Sequence, residues 1–187
     1  MRSAAPFLAF ATLVAGAAYS QDAPSGNAAP ADAASDVASG IADTAAAEND
    51  GVRWFNAEGV PTFKIAEDGT VDWPTFSGYR RYHSECHVCH GPDGEGSTFA
   101  PPLKKSAMRL DYYDFTGTVA SGRQVVNAAA NQVMPAFGTN PNVMCYLDDI
   151  YTYLRARGTD AVPRGRPAKR EDKSDAYAEA EKACMEQ

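Results

Sequence analysis

Apolar and polar positions divide the chain into stretches of different period. Residues 7–18 form a short apolar run behind Arg2, and Ala18-Tyr19-Ser20 sets small residues at the −3 and −1 positions before Gln21. That is the layout of a cleaved signal peptide over residues 1–20, too short and too weakly apolar for a retained membrane span. Residues 21–50 hold no aromatic residue and almost nothing large and apolar. Such a stretch buries too little surface to offset chain entropy, so it reads as a disordered tether. Residues 51–73 change character. Phe63 and Ile65, then Asp68-Gly69, then Val71 and Trp73 make a short hairpin signal, and the segment reads as a β-like N-terminal arm.

Helical spacing dominates from residue 74 to 158. Tyr79, Tyr82, Cys86 and Cys89 share one face, with Thr75 or Ser77 as N-cap and Gly91 as the stop. Residues 91–110, rich in Gly and Pro, read as a loop. Residues 111–121 predict a second helix closed by Gly122, and "NQVMPAFGTN" a further loop. The strongest helical pattern is "PNVMCYLDDIYTYLRARG". Pro141 suits its first turn, Val143, Leu147, Ile150 and Leu154 make its apolar stripe, and Arg155, Arg157 and Gly158 mark its end. Residues 159–187 form an extension, irregular at first and then helical from about Ser174 to Met185. The expected fold is mainly α, with long loops and no proper sheet. Loops of that length suit a domain with something large at its centre.

The chain has 187 residues and a formal charge of −7. That balance argues against nucleic acid, which requires a basic patch. The charge is unevenly spread. The tether carries only acids, whereas residues 155–173 carry Arg155, Arg157, Arg164, Arg166, Lys169, Arg170 and Lys173 against three acids. The basic segment reads first as a strap over the domain, and second as a docking surface for an acidic partner or a contact to an acidic group of whatever fills the domain's centre.

The chemistry resides in residues 86–90, "CHVCH". A zinc site needs four Cys or His ligands, and no second pair follows this one. A redox dithiol favours a helix N-terminus beside a βαβ unit, whereas this pair closes a helix. Covalent haem accounts for more. Cys86 and Cys89 lie on one helix face and reach two vinyl groups, and His90 projects from the same face towards the iron. The sixth ligand follows by elimination. His83 and His87 precede His90 in the same helix, and no histidine follows it. Of the later methionines, Met134 sits in "VMPAFG", where Pro135 stiffens a segment able to present a thioether. Met108, Met144 and Met185 read as packing or tail residues.

"CHVCHG", the following "APPL" and the later "MPAFG" resemble a class I cytochrome c over about residues 76–157. The resemblance implies that fold around one haem c. It also implies that the Pro101 carbonyl holds the His90 imidazole. Gly78 and Tyr82 of the first helix would then cross Ile150 and Tyr153 or Tyr151 of the last. "GYRRYHSECHVCHGPDGEGS", "CYLDDIYTYLRARG", "PRGRPAKRED" and a late Cys184 are similar to the four-cysteine cytochromes c of methanol metabolism. That group includes the inducible periplasmic cytochrome c of methylotrophs and the cytochrome partner of lanthanide-dependent methanol dehydrogenase. Membership implies a periplasmic electron carrier, not an enzyme. A quinoprotein methanol or alcohol dehydrogenase using pyrroloquinoline quinone would be its donor, and a cytochrome or oxidase its acceptor. Cys145 and Cys184, outside the haem motif of an exported chain, are expected to pair. The alternatives are a carrier for another dehydrogenase such as that of methylamine oxidation, a haem enzyme or sensor with a displaceable Met134, and a haem domain that only bridges larger complexes.

Overall fold

A computed structural model describes residues 44–127 and 130–187. The signal peptide and residues 21–43 of the tether lie outside the described residues. Residues 44–50, read as part of the tether, instead pair with the arm. Strands β1 (Glu48–Asn49), β2 (Trp54–Phe55) and β3 (Pro61–Thr62) form a small antiparallel sheet in the order β1-β2-β3. The Thr62 hydroxyl donates to the Thr44 carbonyl at 2.7 Å. The hairpin signal at Asp68-Gly69 becomes a turn closed by a single antiparallel bridge, Ile65 to Val71.

Helix α1 (Trp73–Glu85) begins earlier than its apolar pattern indicates. Its N-cap is Asp72, whose carboxylate accepts from the Thr75 N–H at 2.8 Å, with Pro74 in the first turn. A short helix α2 (His87–His90) follows, then a 3-10 turn (Pro92–Gly94). Several elements differ from expectation. Helix α3 (Leu103–Arg109) lies inside the segment read as loop, and strands β4 (Arg123–Asn127) and β5 (Ala130–Met134) pair as a hairpin around the helix–loop boundary. Helix α4 (Tyr112–Ser121) stands where expected, between the Asp111 cap and Gly122. The long last helix of the core is broken at Cys145 and Tyr146 into α5 (Pro141–Met144) and α6 (Leu147–Gly158). Helix α7 (Asp175–Met185) closes the chain, capped by Ser174. Among the described residues no helix is long and apolar enough to cross a membrane.

The core forms where α1 crosses α6. Tyr82, Tyr153 and Leu154 have no exposed surface there, and Ile150 and Tyr151 almost none. A Cβ on Gly78 would lie 2.5 Å from the Asp149 carbonyl carbon and 2.8 Å from Tyr153 Cβ, so the backbones meet at a distance only glycine permits. Of the two aromatic partners left open by the sequence, Tyr153 is the one at the crossing. Gly78→Val should therefore part the two helices and cost more than ~4 kcal/mol, read as a shift of the denaturation midpoint. A loss below ~1 kcal/mol would mean that the crossing relaxes freely.

The extension is strapped over this core. Cys145 and Cys184 are joined by a disulfide across 39 residues. The Tyr177 hydroxyl donates to the Asp149 carboxylate and lies 2.8 Å from Ser77 Oγ. Burial pushes the Asp149 carboxyl up to about 6, against the pull of Arg53. The basic residues are engaged at home. Arg170 lies 4.9 Å from the Trp73 ring and 5.0 Å from that of Phe76, Arg166 lies 5.2 Å from Phe76, Lys169 pairs with Asp68 at 3.1 Å, and Lys173 pairs with Glu181. Arg155 and Arg157 are buried. The segment is a strap, and its cations are committed to the protein's own rings and carboxylates.

Candidate functional site

Cys86 caps the C-terminus of α1, and its N–H donates to the Tyr82 carbonyl at 2.9 Å. His90 closes α2 four residues later, and its N–H donates to the Cys86 carbonyl at 3.0 Å. Gly91, at φ 73°, then turns the chain away. A Cβ there would strike the Gly96 carbonyl, so the loop folds back on itself through a glycine pair. The Gly96 N–H donates to the His90 carbonyl at 2.8 Å, and the Ser97 hydroxyl donates to that of Cys89.

The imidazole of His90 is buried, and its Nδ1 lies 2.9 Å from the Pro101 carbonyl. A carbonyl only accepts, so Nδ1 carries the proton and Nε2 keeps its lone pair for a metal. Cys86 and Cys89 are unbridged thiols. Burial pushes the Cys86 thiol up to about 12, the opposite of the activation a redox dithiol needs. A buried neutral thiol beside an imidazole with its lone pair presented suits thioether attachment of haem better than disulfide exchange.

Met134 ends β5. Cross-strand pairing of Arg123 with Met134 and Val125 with Gln132 sets these four on one face of the hairpin, while Val126 and Val133 are exposed on the other. Gly122 makes room for this segment, since a Cβ there would lie 2.6 Å from the Met134 carbonyl oxygen. The Phe137 and Gly138 N–H groups donate to the Val119 and Ala120 carbonyls at 3.1 and 2.9 Å. Met134, Phe137, Cys86 and Leu103 all pack half-buried against the same core cluster. A cavity of about 520 Å³, open to one side, is lined by residues 95–102 and Gln132. It is bounded by the loop that holds His90 and by the hairpin face that carries Met134. The His90 imidazole, with its lone pair presented beside two unbridged thiols, is a donor set that fits covalent haem, and Gln132, on the hairpin face of Met134, lines the cavity.

The other methionines are differently employed. Met108 is buried against the end of α6, where a Cβ on Gly158 would lie 2.8 Å from its sulfur. Met144 packs half-buried on the core, and Met185 is exposed on α7. Sequence reasoning missed the supports of the loop. The Tyr82 hydroxyl donates to the Gly91 carbonyl at 2.5 Å, lies 3.2 Å from that of His90, and accepts from the Gly94 N–H at 3.1 Å. Arg157 Nη2 and Lys104 Nζ both meet Glu95 Oε1, at 2.9 and 2.8 Å. The spacing of Tyr82 from Cys86 was visible, but the use of its hydroxyl was not.

A CxxCH motif closing the first core helix, a proline carbonyl on its histidine, and that helix crossed on the last core helix define a haem-binding c-type protein. No protein-family model matches the chain. It is 69% identical to cytochrome c-553I of Paracoccus denitrificans over 133 residues, which is 71% of this chain and 59% of that protein. It is 36% identical to cytochrome c-555 of Methylococcus capsulatus over 51% of this chain and 72% of that one. The crystal structure of the c-type cytochrome XoxG from Methylobacterium extorquens AM1 superposes with a TM-score of 0.73 at 53% identity, covering 79% of this chain and 90% of that one. The chain belongs to the class I c-type cytochromes of methylotrophs and carries covalently bound haem c.

Proposed function

We propose that the protein is a periplasmic carrier of single electrons. In this reading Cys86 and Cys89 hold the haem by thioethers, and His90 and Met134 are its axial ligands. A quinoprotein methanol or alcohol dehydrogenase supplies the electrons, and a cytochrome or oxidase of the respiratory chain takes them. The observation that carries the reading is the buried His90 imidazole, oriented by Pro101 and set beside two unbridged thiols. The haem supplies one-electron exchange at its iron, and a thioether ligand favours the reduced state. The chain's residues hold, orient and shield it. Pro101 fixes the His90 tautomer, the Tyr82 hydroxyl fixes the turn, and the α4 carbonyls fix the segment after Met134. The Cys145–Cys184 bridge suits an oxidising compartment, as does an N-terminal export signal over residues 1–20.

The donor assignment rests on the likeness to the methanol-associated cytochromes. A carrier must leave after each electron, so its interface is small and transient. Stopped-flow mixing of the oxidised protein with substrate-reduced quinoprotein methanol dehydrogenase should give rapid haem reduction. Rapid reduction by a different periplasmic dehydrogenase, with none by this one, would reassign the donor.

A further inference from the structure

Asp93 is an unusual residue to find in the haem loop. It is 5% exposed, takes the left-handed conformation at φ 59°, and follows His90 by three positions. Its carboxylate faces four groups. The Tyr153 hydroxyl donates to Oδ1 at 3.3 Å, and the Gly165 N–H donates to it at 3.1 Å. His83 Nε2 lies 3.5 Å from Oδ1, and Arg164 Nε lies 3.6 Å from Oδ2. The Arg164 side chain is 65% exposed, so water screens its charge. His83 Nδ1 lies 2.8 Å from the Tyr79 carbonyl and therefore carries the proton; its Nε2 accepts from the Asp93 N–H at 3.4 Å. The buried guanidinium of Arg157 meets the Asp93 carbonyl at 3.3 Å and the carboxylate of Glu95, rather than that of Asp93. Among the described residues no buried Arg or Lys side chain meets the Asp93 carboxylate directly.

From these contacts we infer that Asp93 sets the reduction potential of the haem, stabilising its oxidised state, and that the C-terminal extension acts on the haem through Arg164 and Gly165. The inference rests on the attachment proposed above, with His90 on the iron. Three residues of chain span at most about 11 Å, so the Asp93 backbone stays within that reach of His90. Losing an electron adds one positive charge at the iron, and a nearby carboxylate in a weakly polarisable interior favours that state. The Tyr82 hydroxyl, bonded to both Gly91 and Gly94, keeps the carboxylate at a fixed distance from the histidine.

The test is the midpoint potential of purified holoprotein, measured by spectroelectrochemistry. Asp93→Asn conserves size, tolerates the left-handed backbone and still accepts from Tyr153 and Gly165. It should favour the reduced form by about tenfold, which is ~59 mV upward for a one-electron couple. Arg164→Ala, a surface change that leaves the carboxylate less compensated, should move the potential down by a smaller amount. Glu179→Gln, exposed on α7, is the control and should leave it in place. An Asp93→Asn potential equal to or below that of the wild type, with the long-wavelength ferric band retained, would overturn the inference. Should that variant not fold, an unchanged or raised potential in Arg164→Ala would do the same. Absence of covalent haem from the wild-type protein would instead remove the reading on which the inference stands.

Discussion

The double variant Cys86→Ala/Cys89→Ala should yield a mature protein with no covalently bound haem, and either single variant should leave haem on one thioether or none. The structure gives each sulfur a distinct place. Cys86 is half-buried at the end of α1, packed against the same core as Met134 and Phe137. Cys89 is exposed one turn on, where the Ser97 hydroxyl fixes its carbonyl. Losing Cys86 should therefore disturb packing as well as attachment, and losing Cys89 mainly attachment. The measurement is intact mass under denaturing conditions, with the pyridine haemochrome spectrum counting the remaining thioethers. A denatured wild-type protein without a haem-sized mass addition would end the haem reading. The Cys145–Cys184 bridge is independent of these sulfurs, so the double variant should keep it, and under denaturing, non-reducing conditions neither it nor the haem-loaded wild type should react with an alkylating agent.

The parts of the fold legible in the sequence are those where one local signal decides the outcome. Gly91 and Gly122 end helices at positive φ, and Pro141 stands in the first turn of α5. The apolar stripe through Leu147, Ile150 and Leu154 is buried as its spacing requires. Where two signals compete, the reading failed. Helix α3 begins at Leu103 just after Pro101 and Pro102, and its apolar residues Leu103, Ala107 and Met108 are too few to outweigh a Gly/Pro-rich context. The doublet Val125-Val126 breaks the alternation by which a strand is recognised, because one valine faces the Met134 side and the other is exposed. The break at Cys145 and Tyr146 interrupts a pattern of unbroken helical period. There the disulfide and the Arg81 guanidinium, 3.5 Å from the Tyr146 ring centre, anchor the chain to α7 and α1. Neither partner is near in sequence. The same limit hid the role of the basic segment, since a run of cations does not reveal which rings it covers. At the site, residue types were legible because haem attachment needs fixed spacing. Tyr82, Asp93 and Glu95 were not, because they act through hydroxyl, carboxylate and backbone contacts made only once the loop has closed.

Met134→Ala and Met108→Ala should separate cleanly, although both remove a thioether. Met134 is half-buried at the end of β5, on the hairpin face that borders the cavity, and Gly122 and the α4 carbonyls fix the backbone around it. Its loss should abolish the weak long-wavelength band of ferric Met-ligated haem. It should also tighten binding of imidazole or cyanide at the iron by more than about tenfold, since those ligands need no longer displace a bound sulfur. The midpoint potential should fall, because a thioether favours the reduced iron. The cost in stability should be the smaller of the two, because a half-exposed side chain leaves no closed cavity. Met108 is buried between α3 and the end of α6, where the Lys104 carbonyl oxygen would lie 2.7 Å from a Cβ on Gly158. Its truncation should leave a void at a close helix crossing and cost ~2–5 kcal/mol, with the band and the ligand affinity unchanged. Denaturant titration, the ferric spectrum and a cyanide titration on both variants distinguish the roles. If Met108→Ala abolishes the band and Met134→Ala retains it, the axial assignment passes to Met108.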